Sequence, residues 1–179
     1  MISGAAYALI FSVFYNARYG LLNSTLDVVG LNRGHDWLFS IDTALYAVTA
    51  TSLFILGFII VLVMAEIASI PRELYEAAEM DGASPLQRQL RITLPLLRNV
   101  IGTIVLLTLL GYLALFDVVF ILTEGGPNDE TVSLVVYTYR AYINGAWGYA
   151  NAVGIFIVIV GLLLIVGVRR LFRIGERTL

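Results

Sequence analysis

The sequence predicts an all-α membrane protein, a polytopic transmembrane helix bundle interrupted by one polar loop. Three observations predict it. Of 179 residues, 59% are hydrophobic and 13% charged, with a mean hydropathy of +0.88, whereas soluble domains carry about 25% charged residues. Long stretches run without a charge. Between two of them lies a polar segment, YEAAEMDGASPLQRQLRITLPLL at residues 75–97, that holds charges, two prolines and a glycine.

Residues 1–15, MISGAAYALIFSVFY, are apolar, yet as a helix they reach only about 22 Å, short of a ~30 Å hydrocarbon core. No basic stretch precedes them, so they do not read as a signal peptide. They are expected to be a partial span, in a chain truncated at its N-terminus. Residues 44–65 form the first complete span, uncharged throughout. A loop at 67–95 follows, and then a span at 96–122, uncharged over 99–116 and with Asp117 the one interruption of the apolar run from there to Thr123. The last span is 150–168, with Asn151 its one strongly polar residue.

Between the last two spans, residues 128–143 carry Val132, Val135, Val136, Tyr139, Tyr142 and Ile143 at helical spacing. This segment is expected to be an amphipathic outer helix too short to span, capped by Asn128 or Asp129 and ended by Gly145. The whole chain reads as a single transmembrane domain, without internal repeats.

Orientation follows from arginine. Arg72, Arg88, Arg91 and Arg98 lie in the 67–95 loop or at its edge, and Arg169, Arg170, Arg173 and Arg177 follow the last span. Two crossings separate the groups, so both fall on one side. The excess of basic residues makes that side cytoplasmic. Residues 16–43 and 124–149 then face outward.

Several chemistries are excluded. All eleven basic residues are arginine, so the lysine that a P-loop needs to reach the β- and γ-phosphates is missing, and lysine Schiff-base chemistry with it. There is no cysteine, hence no disulfide, thiol nucleophile or cysteine-ligated metal. A net charge of −2 does not suit nucleic acid. His35 is the only histidine, in an outer loop near Arg33 and Asp36, and reads as a solvated loop residue. Neither catalysis nor a cofactor or metal is expected, so any ATP-driven work must borrow its ATPase.

Within the polar loop, Pro71 is placed for the first turn of a helix, with Glu73 and Glu76 favoured near its positive end. That helix should stop at Asp81-Gly82, where glycine supplies a left-handed turn. Ser84-Pro85-Leu86-Gln87 reads as a capping box that starts a second helix running to about Ile92, with Pro95 opening the next span. Ala77, Ala78 and Gly82 leave a low-relief patch beside acidic residues.

Glu76-Ala77-Ala78, then Gly82, then Ile92-x-Leu94-Pro95 resembles the EAA loop of the membrane subunits of binding-protein-dependent ABC importers. Tyr19-Gly20-Leu21-Leu22-Asn23, Leu122-Thr123-x-Gly125-Gly126-Pro127 and Gly148-Tyr149-Ala150 resemble the carbohydrate-uptake branch, the type seen in maltose, glycerol-3-phosphate and oligosaccharide systems. The resemblance implies a permease in a prokaryotic inner membrane. It implies that Glu76, Ala77, Ala78, Asp81, Gly82, Ile92, Leu94 and Pro95 form a coupling helix docked in a separate ABC ATPase subunit. A second permease subunit and an extracytoplasmic solute-binding protein are the other implied partners, besides membrane lipid. It also implies that the 96–122 span lines the translocation path. Thr108, Tyr112, Phe116 and Asp117 are therefore candidate substrate contacts, on the reading that Tyr112 and Phe116 share one helical face. Asp117 has a second reading, that it simply reaches interfacial water. An aromatic belt accounts for Tyr137, Tyr139, Tyr142, Trp147 and Tyr149. The competing function is a fragment of an ion-coupled secondary transporter, which would favour ionisable residues near the centres of the spans.

Overall fold

The computed structural model describes residues 3–31 and 34–174, with the side chains of Phe54 and Ile55 left aside. Among the described residues there are helices and no strands. In chain order they are α1 (Gly4–Phe14), α2 (Leu21–Val28), α3 (Ala44–Ser69), α4 (Arg72–Met80), α5 (Pro85–Leu96), α6 (Arg98–Leu113), α7 (Asp117–Thr123), α8 (Leu134–Ile143) and α9 (Trp147–Phe172). Helices α3 and α9, 26 residues each, reach about 39 Å and exceed the hydrocarbon thickness. Among the described residues these two are long and apolar enough to cross a membrane, and the α5–α6 pair, bent by 58°, makes a third if taken as one span.

The chain folds as two compact units. The first comprises residues 1–53 and 111–159. Its core joins Phe11 and Tyr15 of α1 to Leu38, to Ala47 and Val48 of α3, to Val119 and Leu122 of α7 and to Val136 of α8. Helix α1 starts at Ser3, whose hydroxyl accepts from Ala6 N at 3.2 Å. Polar contacts then fix it against α3. Tyr15 Oη donates to the Ala47 carbonyl at 3.0 Å, and the Tyr7 hydroxyl donates to the carbonyl of Thr51. Just beyond Thr51, α3 tightens into a 3₁₀ turn at Ser52–Phe54.

The second unit comprises residues 54–110 and 160–179. There α6 meets the end of α9 at Gly102, where an added Cβ would lie 2.6 Å from the Phe172 Cβ. Arg98 Nη2 donates to the Leu171 carbonyl at 3.0 Å, tying the start of α6 to the last turn of α9. Arg98 thus lies at the end of this unit where α9 closes.

Several expectations need correction. The expected 96–122 span is not one helix. It begins at Arg98, leaves helical geometry at residues 114–116 and resumes as α7 at Asp117. The carbonyl of Leu115, freed by the break and partly buried, is taken by the Ser133 hydroxyl at 2.6 Å. Ser133, and neither Asn128 nor Asp129, caps the outer helix, accepting from Val136 N at 3.2 Å. Asn128 and Asp129 are left-handed, with φ of 48° and 63°, so the helix expected over 128–143 covers only Leu134–Ile143. Gly145 does follow its end, at φ 78°. The spans expected at 44–65 and 150–168 extend to Ala44–Ser69 and Trp147–Phe172.

Candidate functional site

The polar loop folds as a tight helical hairpin within the second unit. Pro71 is the N-cap of α4, one position earlier than expected, and Glu73 lies in the first turn. The helix ends at Met80 with Asp81 as C-cap and Gly82 at φ 75°. Two backbone bonds close it: Gly82 N to Glu79 O at 3.0 Å and Ala83 N to Ala78 O at 2.9 Å. This is the Schellman pattern, which needs a left-handed residue at the glycine position. Two residues later the capping box forms as the sequence predicts. Gln87 N donates to Ser84 Oγ at 3.3 Å, and Ser84 N donates to Gln87 Oε1 at 2.8 Å.

The second helix runs further than Ile92. It continues to Leu96 through a π turn at Gln89–Thr93. Pro95 therefore sits in the last turn of α5 and does not open the span, which starts at Arg98. A proline there removes one backbone donor and crowds the carbonyl four residues back. The wider π turn, in which Leu94 N donates to Gln89 O, relieves both problems, and the 58° bend follows directly after it.

Two side-chain links across the hairpin were not legible in the sequence. Tyr75 Oη and Thr93 Oγ1 lie 2.8 Å apart, with Thr93 buried. Arg88 Nη1 donates to Glu79 Oε2 at 3.1 Å. The first joins α4 to the π turn and is worth about 1 kcal/mol. The second, with Arg88 half-buried and Glu79 exposed, is worth about 0–1 kcal/mol. The only advance signal was that a Gly82 reversal folds residues 75 and 93 back on each other.

The tip is bare. Met80 is 89% exposed and Leu86 68% exposed on either side of Asp81-Gly82. Glu76, Ala77, Asp81, Gly82, Leu94 and Pro95 are exposed, while Ala78 and Ile92 are half-buried. Glu76 Oε1 is held by Arg72 Nε on its own helix at 3.2 Å, an exposed i,i+4 pair that a partner's donor can displace at little cost. The hairpin thus presents small residues, two bare apolar side chains and acidic groups on a rigid turn.

The candidate path residues do not share one face. Thr108 is half-buried on α6 within the second unit, and Tyr112 stands exposed on the last turn of α6 before the break. Phe116 lies beyond the break, stacked on Phe120 with centroids 4.9 Å apart and edge-on to Tyr139 at 5.5 Å. Asp117 opens α7 in the first unit, in the favourable first turn. Its carboxylate lies against α1, since a Cβ on Gly4 would meet Asp117 Oδ2 at 2.5 Å.

His35 is likewise not a solvated loop residue. It is half-buried, with Nε2 3.2 Å from Thr43 Oγ1 and its ring edge-on to Trp37 at 4.8 Å. Asn23 closes the same loop, donating to the carbonyls of Ala17 and His35 at 3.1 and 2.8 Å and accepting from Trp37 Nε1 at 2.5 Å. Elsewhere in the first unit, Thr123 Oγ1 lies 2.7 Å from Thr131 Oγ1, and Thr131 donates to Gly126 O at 2.7 Å. Arg140 bonds Asp129 and the Glu124 carbonyl. The segment resembling the carbohydrate branch is thus a pinned turn.

Residues 2–179 match the family of binding-protein-dependent transport system inner membrane components. The chain belongs to that family. As a member of it, the chain is 35% identical to a probable ABC transporter permease, YurN, of Bacillus subtilis, over 98% of its own length and 61% of the relative's. It is 34% identical to the trehalose/maltose permease MalF of Thermococcus litoralis, over 83% of this chain and 50% of that one. It is 34% identical to the diacetylchitobiose permease NgcF of Streptomyces coelicolor, over 94% and 50%. Among solved structures, a bacterial ABC transporter that imports the acidic polysaccharide alginate superposes with a TM-score of 0.81 at 27% identity, covering 99% of this chain and 63% of that chain. A second structure of an alginate transporter, in complex with a periplasmic protein bound to an alginate pentasaccharide, gives 0.80 at 28%. This family member therefore has the all-helical fold of an ABC importer permease, and it spans about half to three-fifths of the length of these relatives.

Proposed function

We propose that this chain acts as the permease of an ATP-driven importer for a sugar or sugar derivative. The observation that carries the reading is the family match along residues 2–179, joined by relatives whose names specify trehalose/maltose and diacetylchitobiose uptake. ATP hydrolysis takes place in a partner subunit, because this chain has no lysine for a phosphate-binding loop. The α4–α5 hairpin seats in that subunit, with Glu76, Ala77, Ala78, Asp81 and Gly82 at the contact and Ile92, Leu94 and Pro95 joining it to the span. Met80 and Leu86 extend the contact as apolar anchors. A second permease subunit and a solute-binding protein complete the assembly. Tyr112, Phe116, Asp117 and Thr108 contribute to the path from two sides of the break at 114–116 and do not form one helical stripe.

The reading fixes an orientation: Gly82 and Leu179 inside, Asn128 outside. Because the chain has no cysteine, single cysteines at these three positions report it directly. An impermeant maleimide applied to intact cells should label position 128 and spare 82 and 179, which react only after lysis. The reverse pattern would overturn the orientation and, with it, the docking of the hairpin in a cytoplasmic ATPase.

A further inference from the structure

The second unit holds an apolar groove of about 610 Å³ where α5, α6 and α9 come together, lined by Leu94, Pro95, Arg98, Ile101, Leu171 and Phe172. Its volume is that of a small-molecule site, for which roughly 300–1,000 Å³ is usual. Leu94 and Leu171 are 52% and 72% exposed, so none of the described residues fills it. One charge lies in this apolar lining, that of Arg98. The Arg98 guanidinium is held in place through Nη2, which donates to the Leu171 carbonyl at 3.0 Å, and its other N–H groups remain available.

More positive charge stands at the same end. Arg169 and Arg170 occupy the last turn of α9, with Arg173 just after it, and all three are exposed. Arg169 precedes Phe172 by three residues, which places both on one side of the helix. Among the described residues, none of Arg98, Arg169, Arg170 and Arg173 has a carboxylate within ion-pair distance, whereas Arg72, Arg88 and Arg140 each have one. Among the described residues the charge at this end is therefore unbalanced.

We propose that this groove binds one anionic phospholipid. Its phosphate lies on Arg98 and the arginines of the α9 terminus, and an acyl chain follows Leu94, Ile101 and Phe172 toward the apolar part of α6 and α9. The matching chemistry is amphipathic, a phosphate next to a hydrocarbon tail. The groove is apolar along its length and cationic at the end where the long apolar helix α9 stops. Basic pockets at the ends of membrane helices select such headgroups, and arginine suits phosphate through its fork of donors.

The test is native mass spectrometry of the protein, purified with its partners in mild detergent and titrated with phosphatidylglycerol, phosphatidylcholine or inorganic phosphate. The parental protein should retain phosphatidylglycerol in preference to phosphatidylcholine. Arg98→Gln should weaken retention about tenfold, the loss expected for one charge-assisted contact. Leu171→Trp, which keeps every charge and fills an exposed part of the groove, should weaken it too, so the test survives misfolding of either variant. Three outcomes would overturn the proposal: equal retention of both lipids, retention unchanged in both variants, or competition by inorganic phosphate as effective as that by the lipid. Failure of the parental protein to retain any lipid would overturn it as well, because a partner subunit would then cover the groove.

Discussion

Replacing Gly82 by aspartate, or Glu76 by lysine, should leave the protein inserted in the membrane and reduce ATP-driven uptake about tenfold to a hundredfold. Either change costs the chain itself little. At Gly82 the backbone is left-handed, and an added Cβ meets nothing within 4 Å. The penalty is thus backbone strain of about 1 kcal/mol, with no clash, and folding stabilities of about 5–15 kcal/mol absorb it. At Glu76 the change turns an exposed pair with Arg72 into a like-charge pair, a loss of about 0.2–0.5 kcal/mol on a helix surface. Neither is enough to unfold the hairpin. What each removes is a surface. Aspartate adds bulk and charge to a bare turn beside Met80 and Leu86, and lysine reverses the charge offered to a partner's donor. Losing one charge-assisted contact costs about 1.5–3 kcal/mol, which is the expected fall in uptake. Transport assays on membranes with equal amounts of each variant check it. Uptake at the parental rate in both would show that the hairpin does not couple.

Gly20→Ala should strongly destabilise the first unit or prevent its folding, and this is the largest stability effect expected in the chain. A Cβ at position 20 would lie 2.3 Å from the Asn16 carbonyl oxygen, 2.6 Å from that of Phe14 and 2.7 Å from Asn16 N. All three are backbone atoms that cannot rotate aside. Gly20 N also donates to Asn16 O at 2.9 Å, so the turn cannot open without losing a bond. Overpacking against movable side chains costs about 1–3 kcal/mol, and a backbone clash should exceed that range. The turn leads into α2, where Asn23 and Trp37 close the outer loop, so the damage should spread to that loop. Thermal unfolding in detergent should show a lowered midpoint or no folded protein, while Gly30→Ala, at a glycine with open space around it, should fold. Equal midpoints for Gly20→Ala and the parental protein would refute the packing described for this turn.

The sequence was most informative where structure is local. A glycine ending a helix and a Ser-x-x-Gln box act within a few residues, so the hairpin at Asp81–Gln87 was legible and its hydrogen bonds form as expected. The π turn was not, although Pro95 inside the second helix was a signal of it. The break at residues 114–116 was hidden for a different reason. Leu-Ala-Leu-Phe has no proline and no polar residue, and the break is made possible by Ser133, eighteen residues away, which takes the Leu115 carbonyl. The cap of the outer helix failed likewise: Asn128 and Asp129 are good caps by type, but Thr123, Thr131 and Arg140 pin them into a turn. Gly20 was legible as part of a family resemblance, and its physical reason became visible only in the close approach of Phe14 and Asn16. Fold class and hairpin were therefore readable from short-range chemistry. The placement of Phe116 and Asp117 depended on contacts that no local pattern encodes.

The central claim is that the α4–α5 hairpin docks in a separate ATPase. Ala77 is exposed beside Glu76, and the chain has no cysteine of its own. A single cysteine at position 77, carrying a short photoactivatable cross-linker, can be activated in membranes that contain the assembled transporter. The account predicts one dominant cross-linked partner, the ATP-hydrolysing subunit, with a yield that changes between nucleotide-free and ATP-bound membranes. Cross-linking confined to lipid, or a yield to the ATPase no greater than from a cysteine at position 128, which the proposed orientation puts on the other side, would contradict it.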